Sequence, residues 1–274
     1  MAFHTPRRIA ELTVEAGERK ANLPLPAVLV LGFLAGAFIA LGYLLDIRVI
    51  ANVPEEWGTF ATFLGAAVFP VGLILVIVAG GELLTGNMMS LSMAWMSRRI
   101  TLEQLAANWF WITLTNLAGA LFVAYCYGHV VGLTESGAYL HKTVAIAEAK
   151  LDESFIQAFL SGTGCNWLVG LAVWLAYASD DVAGKILGIW FPIMAFVAIG
   201  FQHVVANMFV IPAAIFAGYF DWLDFIRNFI PVFLGNAAGG SIFVGLMYWT
   251  AYIREDAPDP GEKAISFRKR EKAR

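Results

Sequence analysis

Six long apolar runs, separated by short polar segments, dominate the chain: residues 27–45, 60–95, 105–133, 155–178, 187–220 and 229–252. A helix needs roughly 20 apolar residues to cross the hydrocarbon core of a bilayer, so each run predicts at least one crossing. The second and fifth runs are much too long for one straight helix. Each is interrupted at a corresponding place, by Gly80-Gly81-Glu82-Leu83-Leu84-Thr85-Gly86-Asn87-Met88 and by Gly200-Phe201-Gln202-His203-Val204-Val205-Ala206-Asn207-Met208. Non-helical backbone is tolerated at membrane depth only where protein buries it or a cavity receives it. A further interruption, Ser161-Gly162-Thr163-Gly164, is expected in the fourth run. Ahead of the first run, Thr5-Pro6 marks a helix start, and Ile9, Leu12 and Ala16 follow at helical spacing. That segment reads as a short interfacial helix or, equally, as a frayed polar tail. The chain thus divides into an N-terminal segment (1–25), a six-helix membrane domain (26–253) and a basic tail (254–274).

The two interruptions match one another. Gly80, Asn87 and Met88 correspond to Gly200, Asn207 and Met208 at an offset of 120 residues, as do Asn108, Leu114, Asn116, Ala118 and Gly119 to Asn228, Leu234, Asn236, Ala238 and Gly239. At a slightly different offset, Phe33-Leu34-Ala35-Gly36 pairs with Phe159-Leu160-Ser161-Gly162. Three collinear matches predict two copies of a three-span unit, and an odd number of spans forces the copies into opposite orientations. Inverted repeats with paired broken helices place a permeation site where the breaks meet.

Composition and charge agree with a membrane protein. Hydrophobic residues make up 59% of the 274 residues and charged residues only 14%, against about half and a quarter in soluble domains. The first twenty-odd residues are too polar for a cleavable signal peptide. Of the Lys and Arg residues, only Arg48, Lys142, Lys150 and Arg227 fall on one side of a six-span topology. The rest lie in the N-terminal segment, in loops at Arg98, Arg99 and Lys185, or after the last span. The positive-inside rule therefore puts both termini in the cytoplasm of a cell (inner) membrane protein. The basic run 268–274 reads as a solvated tail facing the cytoplasm rather than as a nucleic-acid site. Cys126 and Cys165 sit in apolar runs as small buried hydrophobes, and no metal or cofactor is implied.

His203 is the sole histidine well inside an apolar run. Beside a helix break in a membrane, an ionisable side chain is a functional candidate, and imidazole exchanges protons near neutral pH. Gln202 and Glu82 occupy matching repeat positions and serve either the pathway or the backbone groups freed by the breaks. Thr85, Asn87, Asn166 and Asn207 are polar groups at or beside breaks, read as pathway groups or as interhelical hydrogen bonds. Phe69, Leu73, Leu84, Val169 and Phe196 are apolar, and their local sequence does not separate them from packing residues. A water or glycerol channel would carry paired Asn-Pro-Ala turns, which do not occur, and a haem subunit would need two deep histidines.

Residues 80–89, the run Asn166-Trp167-Leu168-Val169-Gly170-Leu171-Ala172-Val173-Trp174, and residues 200–208 resemble the signature motifs of the formate/nitrite transporter family. The resemblance spans nearly the whole chain. It implies a non-enzymatic homopentamer of aquaporin-like protomers in the lipid bilayer, each conducting small anions or their conjugate acids together with protons. Formate is the first expectation, with nitrite, hydrosulfide, lactate and acetate as alternatives. It further implies that His203 is the central histidine, Thr85 its partner, Asn166 a pore asparagine and Lys150 a vestibule lysine. The constrictions fall on Phe69, Leu73, Leu84, Val169 and Phe196. One departure stands out: Gln202 occupies the place beside the histidine where many members carry glutamate.

Overall fold

A computed structural model describes residues 3–254; the basic run 268–274 lies outside the described residues. The helices, in chain order, are α1 (Pro6–Ala21), α2 (Leu25–Ile50), α3 (Thr59–Gly80), α4 (Leu84–Met96), α5 (Leu102–Val130), α6 (Gly137–Leu151), α7 (Phe155–Tyr177), α8 (Val182–Ile199), α9 (Val204–Phe216) and α10 (Trp222–Tyr252). Six of them, α2, α3, α5, α7, α8 and α10, are long and apolar enough to cross a membrane. The chain is an all-helical, multi-pass membrane protein.

Local chemistry fixes the helix ends. Thr5 caps α1 by accepting the Arg8 N–H, with Pro6 in the first turn. Thr101 with Gln104, Ser154 with Gln157, and Asp221 with Asp224 form reciprocal capping boxes at the starts of α5, α7 and α10, satisfying amides that a helix start leaves open. Helix α2, the first spanning helix, outruns its apolar stretch because Arg48 finds protein partners. Arg48 lays its guanidinium 3.5 Å from the centre of the Tyr139 ring and donates to the Leu133 carbonyl. Far from fraying, α1 buries Ile9, Ala10, Val14 and Ala16. A Cβ on Gly17 would lie 2.1 Å from the Ser90 carbonyl oxygen, so α1 touches α4 backbone to backbone.

Two sequence expectations are corrected. The fourth run is not interrupted, since α7 is continuous from Phe155 to Tyr177. Its glycines serve packing: a Cβ on Gly164 would meet the Phe201 ring at 2.7 Å, and one on Gly162 the Val232 carbonyl at 3.0 Å. Lys185 lies in the first turn of α8 rather than in a loop, and its ammonium donates to the Ala176 carbonyl at 2.9 Å.

The second and fifth runs each contain a non-helical step. α3 ends in a π-helical turn, Leu75–Gly80, and Gly80 adopts φ +104°; the chain re-enters helix at Leu84. α8 ends at Gly200, φ +89°, and helix resumes at Val204. One asparagine clamps each step. Asn116 of α5 accepts the Leu84 N–H at 2.9 Å and donates to the carbonyls of Gly32 and Glu82 at 2.8 and 2.9 Å. Asn236 of α10 accepts the Val204 N–H at 2.9 Å and donates to Gly162 and Gln202 at 2.8 and 2.9 Å. Both are fully buried.

An unsatisfied buried polar group costs about 1–3 kcal/mol, and Asn→Leu at either clamp orphans two, the amide and the carbonyl of the step. Asn116→Leu and Asn236→Leu are each expected to lose on the order of 3 kcal/mol or more of stability. A clear fall in the thermal unfolding midpoint of the detergent-solubilised protein would register it, and an unchanged midpoint would contradict the clamp assignment.

Candidate functional site

The starts of α4 and α9 converge on one buried contact. Thr85, in the first turn of α4, places Oγ1 3.0 Å from His203 Nε2. His203 is the N-cap of α9, and its Nδ1 accepts the Ala206 N–H at 3.0 Å. A nitrogen that accepts carries no proton, so a neutral ring must hold its hydrogen on Nε2 and donate it to Thr85. A second proton on Nδ1 would point at the Ala206 amide and break the cap. The ring also stacks on Phe196, with centroids 5.6 Å apart and planes 23° apart.

Asn166 braces this contact from α7. Its Nδ2 donates to the carbonyls of Thr85 (3.2 Å) and Asn236 (2.7 Å), while its buried Oδ1 has no protein partner. A Cβ on Gly240 would come within 2.5 Å of that amide, which explains the small residue facing it.

A small cavity lies on each side. One, of about 40 Å³, is lined by Tyr43, Phe69, Lys150, Phe196, His203 and Asn207, among others. Phe69 and Phe196 meet edge to face across it, centroids 5.7 Å apart. Lys150, at the end of α6, donates from Nζ to the carbonyls of Gly200 (2.8 Å) and Phe201 (3.1 Å). Burial pushes its ammonium below the ordinary lysine value. Gln202 donates to the Lys150 carbonyl at 3.0 Å and accepts from Asn207 at 2.6 Å. The second cavity, of about 20 Å³, is lined by Lys20, Leu73, Val76, Gly81, Leu83, Asn87 and Tyr177, among others.

The sequence-predicted residues are therefore distributed unevenly. His203, Lys150, Asn207, Phe69 and Phe196 share one cavity; Leu73 borders the other; Thr85 and Asn166 lie at the contact between the two helix starts. Gln202 is completely buried and works through hydrogen bonds. Leu84 and Val169 are buried in the same core but line neither cavity. Sequence reasoning missed Lys20 and Tyr43 as lining residues. Nothing local marks Tyr43, whereas Lys20 had a signal, as a charge at the end of a helix that runs directly into the first span.

The family model for formate/nitrite transporters matches residues 7–250. An uncharacterised transporter, YrhG, of Bacillus subtilis (strain 168) is 64% identical over 97% of this chain and 100% of its own length. The formate channel BtFdhC of Bacillus thuringiensis is 62% identical, over 93% of this chain and 98% of its own. Among solved structures, a pentameric formate channel with formate bound superposes with a TM-score of 0.75 at 30% identity, covering 84% of this chain and 98% of that one.

His203→Asn keeps an N-capping group but removes the Nε2 donor, whereas His203→Phe removes both. The phenylalanine variant is expected to be less stable than the asparagine variant by about 1 kcal/mol, the usual worth of an N-cap, in thermal unfolding. ¹⁵N NMR of histidine-labelled protein, with the signal assigned by its loss in His203→Asn, should show the Nε2–H tautomer at neutral pH. An Nδ1–H signal would overturn the assignment.

Proposed function

The chain belongs to the formate/nitrite transporter family, and on that premise we propose that it is a membrane channel for small monovalent anions, formate foremost. The observation that carries this reading is the Lys150 cavity, which sets a cation and an asparagine amide against an aromatic constriction and a buried Thr85–His203 pair. About 40 Å³ offers room for roughly three water-sized groups, at about 10–15 Å³ each. That suits formate or nitrite and is tight for lactate.

Lys150 attracts the anion to the mouth of the pathway. The starts of α4 and α9 then present positive dipole ends toward the same point, a favourable place for negative charge. Phe69 and Phe196 oppose a bare anion, because an isolated charge in an apolar site is costly, and they admit the neutral acid far more readily. His203 engages Nδ1 in the α9 cap, so it works as a hydrogen-bond donor. Its donation into Thr85 turns the threonine's own hydrogen elsewhere, available to a passing carboxylate. The transported proton is taken up with the anion in the vestibule.

The same reading takes α3 with α4, and α8 with α9, as two broken crossings in two inverted three-span halves. The matching clamps of Asn116 and Asn236 support this. The charge distribution supports cytoplasmic termini, with α1 on the cytoplasmic face of the cell membrane, and the pentameric relative supports a homopentamer.

Proteoliposomes carrying the full chain should take up formate faster than empty vesicles, and protein-free rates would refute the channel. Lys150→Ala should slow uptake most at low ionic strength, since salt screens such attraction, and Lys150→Arg should keep much of it. Because burial lowers the lysine's titration range, the salt-sensitive part of uptake should fall as pH rises through that range and persist in Lys150→Arg. Equal, salt-independent loss in both variants would assign the lysine a structural role. Mass measurement in mild detergent is expected to give five subunits, and a stable monomer or trimer would exclude the pentamer.

A further inference from the structure

Two polar rings occupy equivalent places beside the two cavities, and they differ in one charge. In the ring of Lys150, Asn228 donates to the Lys150 carbonyl at 2.8 Å and accepts from Asn207 at 2.9 Å, and Asn207 donates to Gln202 at 2.6 Å. In the ring of Lys20, Asn108 donates to the Lys20 carbonyl at 3.3 Å and accepts from Asn87 at 2.9 Å, and Asn87 donates to Glu82 at 2.9 Å. The positions correspond one to one: Lys20 with Lys150, Glu82 with Gln202, Asn87 with Asn207, Asn108 with Asn228.

The lysines differ in what meets their charge. Lys20 Nζ donates to the Glu82 carboxylate at 2.8 Å and to Asn87 Oδ1 at 3.0 Å. Lys150 Nζ meets only the neutral carbonyls of Gly200 and Phe201. Asp46 and Glu153 act on it through space, but among the described residues neither reaches ion-pair distance. One consequence is visible in the asparagines. Asn87 Oδ1 is occupied by Lys20, while Asn207 Oδ1 is buried without a partner, on a residue that lines the Lys150 cavity.

We propose that the pathway is electrostatically one-sided: the Lys150 end presents an uncompensated cation that concentrates anions, the Lys20 end presents a balanced ion pair that does not, and residues 82 and 202 decide which end attracts. This rests on the channel reading above. The side chain at 202 is the switch because an amide donates to the Lys150 carbonyl and brings no negative charge, whereas a carboxylate there would pair with the ammonium as Glu82 pairs with Lys20. A unit charge about 10 Å away raises the local anion concentration roughly twofold even at the dielectric constant of water, and more beside a protein wall. Anions therefore half-saturate the Lys150 end at a lower formate concentration than the Lys20 end.

The test measures uptake of labelled formate at fixed neutral pH into spheroplasts and into inverted membrane vesicles producing the full chain, which expose opposite faces to the medium. Formate is varied on the outer face alone, first in about 10 mM background salt and then in about 1 M, where the screening length falls from about 30 Å to about 3 Å. The half-saturating formate concentration is expected to be at least about twofold lower from the Lys150 face than from the Lys20 face at low salt, as the Coulomb figure gives, and nearly equal from both at high salt. Gln202→Glu should remove the asymmetry by neutralising Lys150, and Glu82→Gln should remove it by freeing Lys20. The double variant Glu82→Gln/Gln202→Glu should reverse its direction. Should either single variant fail to assemble, Lys150→Met must abolish the asymmetry and Lys20→Met must preserve its direction. Equal half-saturation from both faces of the wild type at low salt, or a double variant that keeps the wild-type direction, overturns the proposal while leaving the channel intact. Absence of formate uptake above that of membranes lacking the protein overturns the channel reading itself.

Discussion

Backbone amides and carbonyls that lose their helical partners inside a bilayer can be satisfied only by the protein or by water held within it. That constraint organises the centre of this molecule. The steps after Gly80 and Gly200 free such groups, and Asn116 and Asn236 each take up two of them. Because each asparagine also reaches a carbonyl of a neighbouring helix, at Gly32 or Gly162, it fixes where the new helix begins relative to the surrounding wall. The starts of α4 and α9 are thereby held at one depth, and the contact between Thr85 and His203 follows from that placement. Glycines allow the reach: a Cβ on Gly36 would lie 2.0 Å from the Asn116 carbonyl, and one on Gly119 the same distance from that of Phe33.

Around this frame, polar and apolar groups divide the work. The aromatic pair Phe69 and Phe196 lines the cavity that also borders His203, and the ring of Phe196 stacks on the imidazole. Asn166 holds the Thr85 carbonyl from the opposite wall. Charge is kept to the ends, where Lys150 and Lys20 sit at the tips of α6 and α1. Desolvation explains the separation, since a formal charge at the constriction would need a partner that the apolar lining does not provide.

The fold was legible because bilayer physics writes itself into composition: long apolar runs have one structural solution, and glycines with polar residues at matching places mark where it is suspended. Run ends were read less well where a polar residue finds a protein partner, as Arg48 does within α2. Ser161-Gly162-Thr163-Gly164 misled for a related reason. The glycines that would loosen a soluble helix are used in α7 to bring helices together, and Thr163 returns its hydroxyl to the Phe159 carbonyl. At the site, His203 and Thr85 stood out as candidates because polar groups are conspicuous in apolar runs, their pairing was implied by the resemblance, and the fold brings them into contact. Leu84 and Val169 were assigned to constrictions through resemblance alone, and neither lines either of the two cavities beside His203. Tyr43 went unseen because its partner residues lie on α3 and α9, distant in sequence. Lys20 was counted as a topological charge, and its link to Glu82, sixty-two positions away, is a tertiary fact.

The tautomer of His203 has one more consequence. A relay that passes protons hand to hand must accept at one end, release at the other, and then reset. With Nδ1 committed to the Ala206 amide and Nε2–H aimed at Thr85, the imidazole has no free basic nitrogen at which to receive the next proton. The pair fixes the direction of one hydrogen bond yet interrupts any Grotthuss chain through it. On the channel reading proposed above, a membrane that maintains a proton gradient can hold this protein open to a weak acid without a short circuit, with protons crossing as cargo, bound to the solute they accompany.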